Sequence, residues 1–512
     1  MQHPTFLQNR YLPGLAILLC CLITGLCIYG DYGVSWDEAT QQAIGIANLD
    51  YTDAALQQFV DRDHGAAFEI ILVAGARLLH LSDTREVILF RHLFCHLFFL
   101  AGACFAYLLA LRLFRQRWLA AAGMLAFILH PRLYAHSFFN SKDVPFMVAL
   151  MMALYAIAVA FDKRSIPAFI WAGIACGFAT GIRTMGILPI VGTGFFVGID
   201  AARALYLKKG AGRGLLLLAV FLLSAFAALC ACWPVLWHQP IARLLESFGN
   251  MSHFTRWGGK LLFTGRVYRS TALPWYYAPV WFAISTPLLW LSAGLGGVGF
   301  LFVKAVRSPL SFLLDARKRM LLLCAACFVL PLAAVILLHS VLYDDWRHLY
   351  FIYAPFVILI VYGLDALARQ RRLMIPVKVA AGIQAIVVAG MLIRMHPVQQ
   401  VYFNALVSHG PERLRYGYDY DYWGISLKQG LEQVLATDPR DSIRIWDWDS
   451  PMERNRDILR PAARRRLVYV HEAQESDYIL LDYRNHPDDL PYPVAYRLMA
   501  GGSTVMVVYK LR

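Results

Sequence analysis

The sequence predicts a polytopic α-helical membrane protein of about eleven transmembrane helices, followed by a small polar α/β domain. Three observations carry this. Long apolar runs recur between residues 11 and 394: 59% of the 512 residues are hydrophobic and only 16% charged, against about 25% in a soluble domain, and the mean hydropathy is +0.50. Basic residues gather in the short connections between those runs. From residue 395 the composition turns polar, which divides the chain into a membrane core, 1–394, and a tail domain, 395–512.

The first run, 11–30, follows Arg10 and has no small-residue cleavage site after it, so it reads as a retained helix and not a removed signal peptide. Further spans are predicted over 86–113, 118–131, 145–161, 166–181, 186–205, 214–236, 278–303, 320–340, 349–368 and 375–394. With the N-terminus inside, Arg115/Arg117, Lys163/Arg164, Lys208/Lys209/Arg213, Lys304/Arg307/Arg317/Lys318/Arg319 and Arg369/Arg371/Arg372/Lys378 all fall on the cytoplasmic side, as the positive-inside rule requires. That distribution accounts for the net charge of +14 without a nucleic-acid partner.

Segments 31–85, 132–144, 182–185, 237–277 and 341–348 then lie outside, with the tail. Residues 66–80 are apolar too, but counting them as a span would invert every later loop. They carry Glu69 and Arg77 and read as an interfacial or re-entrant helix on the outer face. The first outer loop is acidic, with Asp31, Asp37, Glu38, Asp50, Asp53, Asp61, Asp63 and Asp83. All ten cysteines lie in apolar runs, and Cys324 and Cys327 read as packing residues and not as a redox or metal pair. In the tail, 422–435 reads as a helix, 442–446, 466–470 and 477–483 as strands, and 495–511 as a hairpin turning at Gly501-Gly502.

Three clusters in the outer segments carry chemistry-bearing side chains. Asp37 and Glu38 follow the first span: a carboxylate pair there suits a general base or part of a divalent-metal site, although no complete ligand set is visible. Ser35 and Glu38 also make a capping box for a helix over 36–47, which leaves Asp37 unexplained. In the second cluster, 132–145, Asp143 has the bland role of capping the next helix. Lys142 is a cation beside that helix N-terminus, where a phosphate would be well placed. In the third, Arg347 and His348 follow Asp344 and Asp345. Arg347 suits bidentate contact with a phosphate or carboxylate, or a local ion pair with either aspartate. Arg183 and Arg269 are weaker candidates. His92 and His96, one helical turn apart, lack a third metal ligand.

Several strings, SWDEA (35–39), HSFFNSKDVPF (136–146), GIRTMGILP (181–189), RSTALPWYY (269–277), YDDWRHLYF (343–351), HPVQQVYFN (396–404) and DYDYWGISLKQGLE (419–432), resemble the membrane glycosyltransferases of the GT-C class. The closest likeness is to the bacterial protein O-mannosyltransferase and aminoarabinose transferase group. It runs over most of the membrane part and into the early tail. It implies a GT-C-like fold, a bacterial inner-membrane location, a polyprenyl-phosphate-linked sugar donor, and transfer to an acceptor hydroxyl of a protein, lipid or glycan on the outer face. Asp37 matches the family's first-loop catalytic carboxylate and Glu38 the second member of the mannosyltransferases' pair. Lys142 and Arg347, with Asp143, His348, Arg183 and Arg269 around them, are assigned to the donor phosphate.

Two other classes compete. A transporter or flippase of a lipid-linked substrate would carry ionisable groups near the bilayer midplane, where the spans have few. A non-catalytic membrane scaffold has no use for carboxylates and cations recurring across separate outer segments.

Overall fold

The structure, a computed structural model, describes residues 10–51, 56, 63–252, 257–446, 452–484 and 487–512. Asp53 and Asp61 of the acidic first loop lie outside these residues. Eight helices are long and apolar enough to cross a bilayer: Thr84–Phe114, Asp143–Lys163, Thr184–Tyr206, Gly212–Cys232, Leu288–Arg307, Ala316–Leu337, Arg347–Ala368 and Met374–Arg394. Three further predicted spans appear as Leu12–Ile28, Arg117–Ile128 and Ile166–Thr180, of 17, 12 and 15 residues. At about 1.5 Å per residue, 12 residues cover about 18 Å of a hydrocarbon layer about 30 Å thick. Among the described residues the count by length is therefore eight, not the eleven expected.

Asp143–Lys163 and Arg347–Ala368 form the middle of the bundle, 78% and 83% buried over their apolar windows, whereas Gly212–Cys232 and Met374–Arg394, at 22% and 17%, present apolar side chains outward. Small residues permit the closest helix approach. A Cβ added at Gly173 or Gly177 would stand 2.5 Å from Phe221 O or 2.2 Å from Ala225 O, so helix Ile166–Thr180 meets Gly212–Cys232 backbone to backbone.

Two predicted elements differ. The span 278–303 is broken into Tyr277–Ser285 and Leu288–Arg307. Pro287 cannot continue a helix and pushes Thr286 into an extended conformation. Asn404 donates to the freed carbonyls of Ala283 and Thr286 at 2.6 and 2.7 Å, so the break leaves them satisfied. The outer segment 132–144 is no surface loop: Pro131–Phe139 is a short helix, buried throughout, with Pro131 in its first turn. The 66–80 segment forms Ala67–Leu78, too short to span and packed against helix Glu38–Asp50.

An unpredicted antiparallel hairpin, β1 (Lys260–Phe263) and β2 (Arg266–Arg269), rises between two spans. The tail forms helix Leu427–Thr437 over a five-stranded sheet of order β4-β3-β5-β7-β6. Its strands are β3 (Ile443–Trp446), β4 (Leu467–Val470), β5 (Tyr478–Leu481), β6 (Val494–Ala500) and β7 (Ser503–Lys510). The β3, β4 and β5 strands run parallel, and the β6–β7 hairpin turns at Gly501-Gly502, both at positive φ. Leu427, Leu431 and Val434 pack on Ile443, Ile445, Leu480 and Val508.

This sheet unit sits on the end of the bundle that carries the first loop. Asn455 accepts from Val34 N at 2.8 Å and donates to Val34 O at 3.1 Å. Arg464 pairs with Asp83 at 2.7 Å. Gly33 lies so close to the tail that a Cβ there would stand 2.2 Å from Ile425 O.

Candidate functional site

The site assembles around Arg347, which opens the 3-10 turn Arg347–Ile352 ahead of helix Tyr353–Ala368 and is 3% exposed. Its Nε and Nη2 donate to Asp344 Oδ2 at 3.2 and 3.1 Å. Its Nη1 stands 3.5 Å from Asp37 and 3.6 Å from Asp143. The rings of Tyr343 and Trp423 lie against its guanidinium. The ion pair with Asp344 expected from sequence proximity is thus present, while the remaining nitrogen faces two carboxylates from other segments.

Asp143 begins its span and is buried. Arg183 pairs with it, and Asn140 both donates to its Oδ2 at 3.1 Å and accepts from its N–H at 2.8 Å. Lys142, half-buried at the N-cap of the same helix, interacts electrostatically with Asp143 and His348. The half-buried His348 sets its ring edge-on to Tyr343. Asp37, Lys142, Asp143, Arg183, Arg347 and His348 therefore come together from four separate stretches of chain.

Glu38 turns away from this group. It is buried, accepts from Ser35 N at 2.8 Å and lies 3.2 Å from His92 Nε2. That is half of the expected capping box. The other half is missing: the Glu38 N–H pairs with the Ser35 carbonyl at 3.3 Å, and the Ser35 hydroxyl donates to Phe139 O. Asp37 occupies the N-cap position without a capping bond and keeps its side chain 30% exposed. The adjacent carboxylates thus engage different partners and do not converge on one ion. Among the described residues no group of three or more His, Cys, Asp or Glu side chains gathers as a metal site. Arg269 also stands apart, exposed at the end of β2.

A second buried network lies beneath. Asp345 Oδ2 accepts from Arg132 at 3.0 Å and from the hydroxyls of Tyr350 and Tyr422, both at 2.8 Å. His136 Nε2 lies 3.1 Å from the Tyr422 hydroxyl. Burial raises the Asp345 carboxyl to about 6 despite the opposing pull of Arg132 and the two tyrosines.

Beside the cluster a cavity of about 640 Å³ is walled by Trp36, Trp257, Lys260, Asp419, Tyr483 and Arg484 among others. Arg484 joins cavity to cluster: it donates to Asp344 Oδ1 at 3.1 Å and to Tyr422 O at 2.6 Å, and lies over the Trp36 ring. Burial, and secondarily the charge of Asp344, raises the Asp419 carboxyl to about 7. The sequence reading missed Asp419, Arg484 and Lys260 as wall residues. Asp419 lay within one of the family-like strings. Arg484 sits in a loop after β5 with no local motif to mark it.

Residues 68–237 match the family model for dolichyl-phosphate-mannose-protein mannosyltransferase. The resemblance to that group read from the local strings holds over this segment. No curated protein matches the chain. Among solved structures, the chain is similar to ArnT from Cupriavidus metallidurans in the apo state, with a TM-score of 0.49 and 12% identity over 97% of each chain. It is similar to the same protein bound to undecaprenyl phosphate, with a TM-score of 0.46 and 13% identity over 97% of each chain. It is also similar to the Archaeoglobus fulgidus oligosaccharyltransferase tethered with an acceptor peptide, with a TM-score of 0.47 and 10% identity over 92% of this chain and 69% of that one.

Proposed function

We propose that this protein is a glycosyltransferase of the bacterial inner membrane, moving a sugar from a polyprenyl-phosphate-linked donor to an acceptor hydroxyl at the extracytoplasmic face. The observation that carries the reading is the pairing of Asp37 with Arg347, in a cluster that also holds Lys142. A partly exposed carboxylate stands 3.5 Å from a buried guanidinium, with a second cation at a helix N-terminus nearby and, alongside, a cavity whose wall includes Lys260, Asp419 and Arg484. The family model over 68–237, named for a polyprenyl-phosphate sugar, agrees with it.

In this reading Asp37 takes the proton of the acceptor hydroxyl as its oxygen attacks the anomeric carbon. The bond from that carbon to the phosphate oxygen breaks, and polyprenyl phosphate leaves as an anion that needs no general acid. Direct displacement inverts the anomeric centre. Lys142 and Arg347 hold the departing phosphate, whose charge grows as the bond breaks. Asp143, Arg183 and His348 fix the position of those cations, and Glu38, held by His92, sets the loop from which Asp37 projects. Arg269 has no part in this assembly.

The test is release of polyprenyl phosphate from a panel of polyprenyl-phosphate sugars by the purified protein, with candidate acceptors and with and without chelator. Asp37→Asn should lower release by about 10²- to 10⁴-fold, the usual contribution of a positioned base. Wild-type release in that variant would remove Asp37 from the chemistry. Absence of both release and donor binding for every sugar would overturn the transferase reading.

A further inference from the structure

At the opposite end of the bundle from Asp37, the ends of helices Asp143–Lys163, Thr184–Tyr206, Gly212–Cys232 and Ala316–Leu337 surround a cavity of about 420 Å³. Arg164, Arg203, Arg213 and Arg319 line it, with Asp200 as its one carboxylate. Asp200 is already committed. Arg319 grips it with two nitrogens, at 2.9 and 2.6 Å, and Arg164 pairs with it as well. Arg213 donates only to the carbonyl of Arg164, at 3.2 Å, and both Arg203 and Arg213 are exposed at the rim. Two guanidinium groups with no carboxylate partner among the described residues thus face a cleft whose net charge is strongly positive.

About half of the cleft's lining is apolar: Phe161, Phe169 and Leu217 contribute to it. Its position at the ends of four candidate spans puts it at headgroup depth. Helix Gly212–Cys232, which forms one side, is the poorly buried helix described above and leaves Leu215, Leu216 and Leu222 facing outward. A guanidinium pair over an apolar wall, at the level where span and headgroup meet, matches a phosphodiester that carries acyl chains. A soluble anion would gain nothing from the wall.

We propose that this cavity is a binding site for the phosphate headgroup of an anionic phospholipid. Arg203 and Arg213 hold the phosphate, Arg164 and Arg319 keep Asp200 neutralised beneath it, and the acyl chains run along the outer face of Gly212–Cys232. The site is separate from the proposed catalytic cluster and does not depend on the transferase reading.

The test uses full-length protein, delipidated in a zwitterionic detergent and titrated with phosphatidylglycerol or phosphatidylcholine of the same chain composition, with bound lipid read by native mass spectrometry. Wild-type protein should retain phosphatidylglycerol about tenfold more strongly. The double variant Arg203→Gln/Arg213→Gln should bring the two lipids to near parity. Arg371→Gln/Arg372→Gln, which removes exposed charge outside the cavity, should leave the preference intact. Inorganic phosphate at matched ionic strength should not displace the lipid. Equal retention of both lipids by the wild type would overturn the proposal. So would an equal loss in the Arg371/Arg372 control, which would reduce the effect to diffuse surface charge. Displacement by inorganic phosphate would replace the lipid site with a free-phosphate site.

Discussion

Replacing Arg347 with Met separates its electrostatic role from its structural one. The guanidinium contacts three carboxylates, and the structure gives each an alternative. Asp344 keeps Arg484 at 3.1 Å, Asp143 keeps Arg183, and Asp37, 30% exposed, keeps water. No carboxylate is left buried and unpaired, so the cost is that of lost charge-assisted hydrogen bonds, about 1.5–3 kcal/mol. Stranding a buried charge would cost about 3–5 kcal/mol. The unbranched thioether retains part of the packing against Tyr343 and Trp423. The protein should therefore fold and purify normally. Transfer should fall about 10²- to 10³-fold, the usual effect of removing one preorganised donor from developing charge. Arg347→Lys keeps the charge without the fork and should fall between the two. Single-turnover release of polyprenyl phosphate, beside a thermal melt of each variant, reads both quantities. Full transfer in Arg347→Met would refute the electrostatic role, and an unfolded Arg347→Lys would show that the residue is chiefly structural.

Asp345 makes a prediction about pH. Its carboxyl is raised to about 6 in the folded protein, above the ordinary value of about 3.9 in an unfolded chain. Its contribution to stability is therefore fully present below about pH 4 and lost as pH rises to about 6, by up to about 3 kcal/mol. Thermal melts at pH 4.5 and 7 should show this loss in the wild type and a smaller one in Asp345→Asn; identical slopes would contradict the raised value. Arg484→Gln removes a cavity-wall cation whose side chain is 17% exposed, while Asp344 stays paired with Arg347. It should raise KM for substrate about tenfold with kcat little changed. A fall in kcat at unchanged KM would place Arg484 in the chemical step instead.

Eight of the spans were legible because length and apolarity alone specify them, and the tail strands because short β-branched and aromatic runs alternate with turn residues. The break at Thr286 was also written in the sequence, as Pro287 inside an apolar run, but a long run outweighs one proline until Asn404 is seen to satisfy the freed carbonyls. The burial of 131–139 was not legible. Its polar residues read as a surface loop, yet Arg132 is paired with Asp345, 213 positions away. Asp37, Lys142 and Arg347 could be singled out because each sits oddly for its local setting. Arg484 and Asp419 could not, because their significance depends on which loops the tail sheet brings against the first loop. The opposite case is Glu38, whose capping-box spacing was visible and whose partner His92 was not.

The turn at Asp344 and Asp345 shows how the two networks are kept apart. Adjacent carboxylates repel, and both residues stand in the left-handed region, at φ 55° and 60°. For residues with a Cβ that conformation costs about 1–2 kcal/mol each. It persists because each side chain is held from a different direction. Asp344 is held by Arg347 and Arg484, and Asp345 by Arg132, Tyr350 and Tyr422. Arg484 and Tyr422 belong to the tail, while Arg132, Arg347 and Tyr350 belong to the membrane core. The turn is therefore clamped between the two parts of the chain, and Arg347 leaves this turn to reach Asp37. If the sheet unit were displaced, Asp344 would lose one of its two cations and Asp345 one of its two hydroxyl donors. The strained turn would then have reason to relax and carry Arg347 with it. The tail unit thus contributes two of the contacts, from Arg484 and Tyr422, that hold the turn from which Arg347 reaches Asp37.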